Sequence, residues 1–345
     1  MTQSAVVPPG SNDAVRLVSR LYRAREASIL LVVALVVVAA TVTSPDFLFS
    51  SSGWRDLTLA PSILMILAVG EAIVIITRNV DISVGAVLGF TAYFAGRVLT
   101  DYPGVPVVVV FLLGTLLGAL MGLFNGLLVT LLRVPALVVT LGTLYIFRGI
   151  DVLWAGGIRI MPGDLPSSFL DLGTSSILTV PTVTIIAVFV AAAAVWYMKC
   201  TRGGRTFYAI GSDPDAARLY GLPTGRRVII ALATSGALAG FSGVLYLSRY
   251  ATADSQVGTG WELQAIAAVV IGGIAIAGGS GSVGGAALGA VLLITINRAL
   301  PVLGIPDFWQ QAVIGVLILF AIVTDRLLFI RTSHQLLEAR ETTNA

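Results

Sequence analysis

The chain has 345 residues, of which 57% are hydrophobic and only 11% charged. A water-exposed surface carries about twice that charged fraction, so a soluble globular protein is excluded. The net charge is only +3, and the single cysteine, Cys200, and single histidine, His334, exclude an intrachain disulfide, a cysteine metal cluster and a histidine metal site.

In chain order, MTQSAVVPPGSNDAVRLVSRLYRARE is too polar and too long for an ordinary signal peptide. It predicts a solvated leader, 1–27, partly helical near the membrane and ending in a basic cluster. Ten apolar spans follow, at about 28–44, 57–77, 82–99, 105–132, 135–154, 176–198, 227–249, 262–278, 284–300 and 308–326. Uncharged runs of this length cross a bilayer as helices, because backbone amides in lipid are satisfied within the segment. Asp101–Gly104 divides the third span from the fourth, and Arg133, Val134 and Pro135 divide the fourth from the fifth. Only the glycine-rich GGSGS, 278–282, divides the eighth from the ninth. The expected fold is an all-α polytopic membrane protein, with a transmembrane domain over 28–328 and a polar tail over 329–345.

Basic residues set the orientation. With the N-terminus in the cytosol, fifteen Lys and Arg residues lie on inside segments and six on outside ends or within spans. That bias is the one expected for an inside N-terminus, and an even number of spans puts the C-terminus inside too. The small positive charge therefore reports topology, and no soluble basic domain is present to hold nucleic acid.

Between spans two and three lies ITRNVDISVGAVLGF, 76–90. Arg78 follows the inside bias. Asp81 is placed to cap the next helix, its carboxylate accepting N–H groups around Ser83 and Val84. Ser83 and Gly85 let that helix begin close to a neighbour. Asn79 and Asp81 are candidates for the inner mouth of a pathway.

Polar groups within spans are costly and mark a bundle interior or a path. Glu71 lies in the second span, Asn125 in the fourth, Phe147, Arg148 and Asp151 in the fifth, Asn297 and Arg298 in the ninth. Arg148 and Asp151, three apart on one helix face, are expected to pair as a structural ion pair. Asn125 and Asn297 suit hydrogen bonds between helices. Glu71 has no evident partner; protonation, a remote arginine and a cavity-lining role all fit it. The pathway or gate candidates are Glu71, Asn79, Asp81, Asn125, Phe147, Arg148 and Asn297.

The polar loop 199–227 holds a short helix with strong signals. Asp213 is placed as N-cap and Pro214 as first helical residue, where a missing N–H costs nothing. Asp215 suits the positive end of the helix dipole. Gly221 fits the left-handed position after the last turn, and Pro223 prevents continuation. Ala216 and Ala217 let another protein approach, with Arg218 and Tyr220 as anchors. An ordinary capped loop helix fits the same residues.

RTFYAIGSDPDAARLYGL resembles the cytosolic coupling segment of permease subunits of bacterial ABC importers for monosaccharides, the ribose/xylose/galactose family. Other pieces agree in order: ITRNVDISVGAVLGF, FNGLLVTLLRVPALVVTLGTLYIFRGI, GTGWELQAIAAVVIGGIAIAGGSGSVGGAALGA and a final span ending in TDR. The likeness covers about 28–328. Within the family, the autoinducer-2 and rhamnose importer permeases look nearest. The resemblance implies a type II ABC-importer permease fold with ten spans in the bacterial plasma (inner) membrane. It also implies a second permease subunit, identical or paralogous, two cytosolic ATPase subunits and an external sugar-binding protein. On this reading 213–221 is the ATPase-coupling helix, with Asp213, Pro214, Asp215, Ala216, Ala217, Arg218, Tyr220 and Gly221 as its residues.

The chain itself has no Walker A loop, because its only lysine, Lys199, is followed by Cys200. No cofactor is expected on this chain; ATP and magnesium belong to the partner ATPase. GGSGSVGGAALGA has no lysine and reads as close helix packing. Its echo of SVGAVLG at 83–89 is too short to establish a repeat. Arg55, Asp56, Arg159, Asp164, Asp171, Asp254 and Asp307 are outside-loop candidates for docking a binding protein. Two other functions stay open: an ion-coupled secondary transporter using Glu71, and an importer permease for branched-chain amino acids or nucleosides.

Overall fold

The computed structural model describes residues 11–313 and isolated positions up to 323, with side chains from Glu26 onward and that of Asp307 excepted. The tail 329–345, part of the predicted tenth span and the leader's arginine side chains lie outside the described residues.

The helices are α1 (Ser11–Thr43), α2 (Asp46–Phe49), α3 (Ser51–Leu59), α4 (Pro61–Ile76), α5 (Val84–Asp101), α6 (Val107–Leu131) and α7 (Ala136–Ala155). There follow α8 (Ser167–Thr174), α9 (Thr182–Cys200), α10 (Arg202–Ser212), α11 (Pro214–Leu219), α12 (Thr224–Tyr250), α13 (Trp261–Ile271) and α14 (Val283–Val302). A two-residue hairpin, β1 (Ser176–Ile177) with β2 (Val180–Pro181), precedes α9. The chain is all-α and polytopic, and among the described residues seven helices are long and apolar enough to cross a membrane: α1, α3–α4 as one run, α6, α7, α9, α12 and α14.

Helix α4 forms the middle of the bundle. All sixteen of its residues are buried. It is apolar all round, the pattern of a helix with no solvent face, and α9, α12, α13 and α14 pack around it. By contrast α1, α6, α7 and α9 each expose an apolar stripe, for example Leu112, Leu116 and Leu120 on α6. Lipid covers such stripes without cost.

Helix α12 is the second organising element, touching α4, α5 and α6. Its contact with α6 is built from glycines. Gly114, Gly118, Gly122 and Gly126 recur every four residues and so line one face of α6. A Cβ on Gly118 would strike the carbonyl of Gly236, and one on Gly122 would strike that of Leu232. From the other side, a Cβ on Gly236 would meet the carbonyl of Gly118, and one on Gly240 that of Gly114. Lipid supplies no hydrophobic drive between helices, so such close backbone approach is what joins them.

The predicted eighth span differs from expectation. Its helix, α13, stops at Ile271 and has 11 residues, a rise of about 16 Å against a hydrocarbon core of about 30 Å. The reason is the glycine run that follows. Gly273, Gly278, Gly279 and Gly281 all hold positive φ, from 72° to 119°, which a continuing helix forbids. The chain doubles back over 272–282 and enters α14. The polar loop 199–227 also differs: it holds α10 as well as α11, and α10 was not foreseen. Its Gly204, Phe207, Ile210 and Gly211 are buried, and Arg227 stacks over the Phe207 ring at 5.4 Å.

Replacing Gly118 by leucine should force α6 and α12 apart, at a cost of about 1–3 kcal/mol or more. Gly142 of α7 faces open space, so Gly142→Leu is the matched control. Thermal unfolding of the detergent-solubilised chain should fall for the first and hold for the second; equal melting would contradict this packing.

Candidate functional site

The face of the bundle that carries the loop 199–227 is organised around the end of α4. Helix α4 closes with a Schellman arrangement: the N–H of Asn79 donates to Val74 (3.3 Å) and that of Arg78 to Ile75 (2.9 Å). Glycine normally occupies the left-handed position of this motif, yet here Arg78 takes it with φ 64°. A non-glycine residue there costs about 1–2 kcal/mol. The side chain explains the choice. Arg78 donates from Nε to the Gly211 carbonyl and from Nη2 to the Ser212 carbonyl, both at 2.5 Å. These are the last carbonyls of α10, where a cation is also favoured by the helix dipole.

The glycine-rich turn before α14 meets the same point. The N–H of Gly279 donates to the Ile76 carbonyl (2.9 Å). A Cβ on Gly211 would strike that Ile76 carbonyl, and one on Gly278 would strike Arg78. Three remote segments, 76–79, 211–212 and 278–279, thus share one joint.

Helix α11 starts where this joint ends. Asp213 Oδ1 accepts the N–H groups of Asp215 and Ala216, both at 3.0 Å, and Pro214 is the first helical residue. Its far end is a second Schellman motif, with Leu222 N–H on Ala217, Gly221 N–H on Arg218 and Gly221 at φ 74°. Ala217 is buried against the protein itself. Leu219 and Tyr220 are 89% and 86% exposed. Leu219 was missed by the sequence reading; its exposure is a tertiary fact, because an apolar residue on a capped helix reads as inward. Arg218 lies 3.6 Å from Asp215.

Between α11 and the α4–α5 turn opens a cavity of about 770 Å³. Arg78 and Asn79 line it from the turn, Arg133 and Pro135 from the α6–α7 turn, Pro214 and Arg218 from α11. Of the pathway candidates, Asn79 is the one placed on this cavity.

Glu71, Asp81 and Asn125 come together deeper in the bundle, all fully buried. Glu71 Oε1 accepts the Asp81 N–H (3.0 Å). Asp81 Oδ1 accepts both the N–H (3.0 Å) and the hydroxyl (2.6 Å) of Ser83. The Ser83 hydroxyl in turn accepts from Asn125 Nδ2 (2.8 Å). Thr140 of α7 bridges the same turn, accepting from Ile82 N–H and donating to the Val80 carbonyl, both at 3.2 Å. Asp81 accepts the Ser83 N–H as expected but not that of Val84, and it does not cap α5, whose N-cap is Ser83 without a side-chain hydrogen bond. Glu71 meets backbone and not an arginine.

The remaining candidates lie elsewhere. Phe147 is buried on the inner face of α7. Arg148 does not pair with Asp151: its Nη1 donates to the Val257 carbonyl (2.5 Å) and to that of Ser255 (3.2 Å). The segment 251–260 is non-helical and packs against α5, where Gly85 and Gly89 leave room for the Gly258 and Val257 backbone. These carbonyls have no helical partner, and Arg148 supplies a donor. Asn297 lies half-buried on α14 and apart from these groups. At the opposite end of the bundle, Asp56 meets Arg249 (3.4 Å) and Arg298 (3.7 Å), and Arg159 meets Asp254 (2.7 Å). Arg55 donates to the Thr174 carbonyl. Those contacts tie loops to helices.

Comparison with known proteins adds the family. Residues 56–322 match the family described as branched-chain amino acid transport system / permease component. The chain is 38% identical over 265 residues to the autoinducer 2 import system permease protein LsrC of Escherichia coli (strain K12 / DH10B), covering 76% of each chain. It is 38% identical over 274 residues to the protein of that name from Enterobacter sp. (strain 638), covering 79% of each. With that of Yersinia pseudotuberculosis serotype O:1b (strain IP 31758) it shares 36% over 279 residues, 80% of this chain and 78% of the relative. No solved structure matches the chain. A polytopic helical bundle and a family match across 56–322 agree: the chain belongs to the branched-chain amino acid transport system permease component family.

Proposed function

We propose that this permease is the membrane subunit of an ATP-driven importer in the bacterial inner membrane, moving a monosaccharide-like molecule inward. Autoinducer-2 is the first candidate substrate, because relatives at 36–38% identity carry that name. Cytosolic ATPase subunits, an external binding protein and a second permease subunit complete the system, with ATP and magnesium on the ATPase. An importer of branched-chain amino acids is the second reading, favoured by the family description.

The observation that carries the mechanism is the joint at Arg78. A push on the exposed tip of α11, at Leu219 and Tyr220, bears directly on Asp213 and the end of α10. Arg78 grips that end through two charge-assisted hydrogen bonds, each worth about 1.5–3 kcal/mol. The displacement therefore passes to α4, to the α4–α5 turn beside the cytosolic cavity, and through Gly279 to the α13–α14 turn. One movement outside the membrane reaches both interruptions of the helical bundle.

Arg78→Gly should keep the left-handed turn and remove only the grip. Expected is a stable permease whose partner ATPase still turns over while uptake falls at least tenfold, about 1.4 kcal/mol of lost coupling; wild-type uptake would reject the role. Ala216→Asp and Gly221→Trp should leave membrane insertion intact and abolish uptake by disturbing α11. Normal transport by either would sink the coupling assignment. The substrate is checked by binding of radiolabelled autoinducer-2, rhamnose, ribose and leucine to the cognate binding protein: a sugar-type ligand is expected, and binding of leucine alone would replace this reading with the second.

A further inference from the structure

A second cavity, of about 400 Å³, opens where α9 meets α12. Ile73 of α4, Phe189 and Tyr197 of α9, Phe207 of α10 and Ile230 and Leu238 of α12 line it. Phe189 is 73% exposed, so the cavity opens on the side where α9 shows its apolar stripe to lipid. At the α10 end its lining turns from apolar groups to donors. A Cβ on Gly203 would lie 2.6 Å from the Tyr197 hydroxyl and 3.4 Å from Arg227 Nη1. Both donors thus reach the same point, beside the first turn of α10. The Arg227 guanidinium is held there over the Phe207 ring, 5.4 Å from its centre. Among the described residues the Tyr197 hydroxyl has no hydrogen-bond partner. Among them, too, no carboxylate pairs with Arg227, nor with the exposed Lys199, Arg202, Arg205 and Arg226 that flank it in sequence.

We propose that this cavity holds an acyl chain of an anionic phospholipid whose phosphate is bound by Arg227 and Tyr197. Both side chains are donors, and one is a cation, so the point they share selects an anion. The Tyr197 and Phe207 rings that carry this point also line the apolar cavity, so the anion that fits bears a hydrocarbon chain. A guanidinium meets phosphate through two parallel hydrogen bonds, and stacking on Phe207 fixes its plane. An acyl chain lies in hydrocarbon before it enters, so the cavity sets its place and the head group decides the selection. Choline would bring a further cation to an unpaired basic cluster, which disfavours phosphatidylcholine. A bound lipid ties α9, α10 and α12 together at the start of α10, whose other end Arg78 grips. The site is independent of which solute the chain carries.

The full-length chain, purified in detergent and stripped of lipid, tests this by native mass spectrometry with phosphatidylglycerol and phosphatidylcholine of the same chains. One phosphatidylglycerol per chain should bind saturably, at least about tenfold tighter than phosphatidylcholine, and inorganic phosphate should not displace it. Arg227→Gln should weaken that binding at least about tenfold, the loss of a hydrogen bond between charged groups. Arg226→Gln, which removes a neighbouring charge away from the cavity, should weaken it less. Ala193 lines the cavity from α9, so Ala193→Trp should fill it and weaken binding with the unfolding temperature unchanged. Equal affinity for the two lipids overturns the proposal, and displacement by inorganic phosphate identifies a plain anion site and overturns it too. Equal losses in Arg226→Gln and Arg227→Gln identify a general attraction to basic surface, which also overturns it. A folded Ala193→Trp chain with wild-type lipid affinity rules out the cavity; if that variant also turns a dimer into a monomer, the occupant is a second copy of the chain.

Discussion

A backbone group buried in a helical bundle has no water to fall back on, so wherever a helix stops there a protein partner must take its place. Three segments of this chain interrupt the helical bundle: 77–83, 251–260 and 272–282. Each is met by donors or acceptors drawn from elsewhere. Thr140 and Glu71 serve the first, Arg148 the second, and the Ile76 carbonyl the third. Two of the polar residues within the spans, Glu71 and Arg148, are thereby accounted for as partners of interrupted backbone.

Glycine makes those breaks possible and also closes the space around them. On α5, Gly85 and Gly89 accept the backbone of 257–258. On α14, Gly285 and Gly289 accept the backbone of α13 at Gly272 and Ala268. The short echo between SVGAVLG and SVGGAALG thus has a common physical use, since both open a helix with a small face that a neighbouring main chain occupies. Their caps differ. The Ser282 hydroxyl accepts from the Gly285 N–H, whereas the Ser83 hydroxyl is committed to Asp81 and Asn125. The α6–α12 contact extends the same principle across a full span, and it needs no polar group at all.

Rigidity at the cytosolic face has a different origin. Arg78 accepts an unfavourable backbone angle and returns two short hydrogen bonds to the end of α10. Strain of this kind persists only where the surroundings over-determine it. Glycines 211, 278 and 279 leave no room for the joint to open sideways. Helix α11, capped at both ends, presents Leu219 and Tyr220 to solvent.

The sequence by itself determined the membrane setting, the all-α class, most helix positions and the capping of α11. Those depend on local terms: apolar runs, a proline after an aspartate, a glycine after a last turn. It also placed Asp81 as the acceptor of the Ser83 N–H, which is two residues away. Only the tertiary structure decided what Arg78, Glu71 and Arg148 touch, that the eighth span is a half-helix folded back on α14, and that Ala217 points inward while Leu219 points out. In each case the partner is a backbone carbonyl or N–H from a remote segment. Every residue carries those groups, so no side-chain pattern marks which one will be left unpaired until the helices are packed.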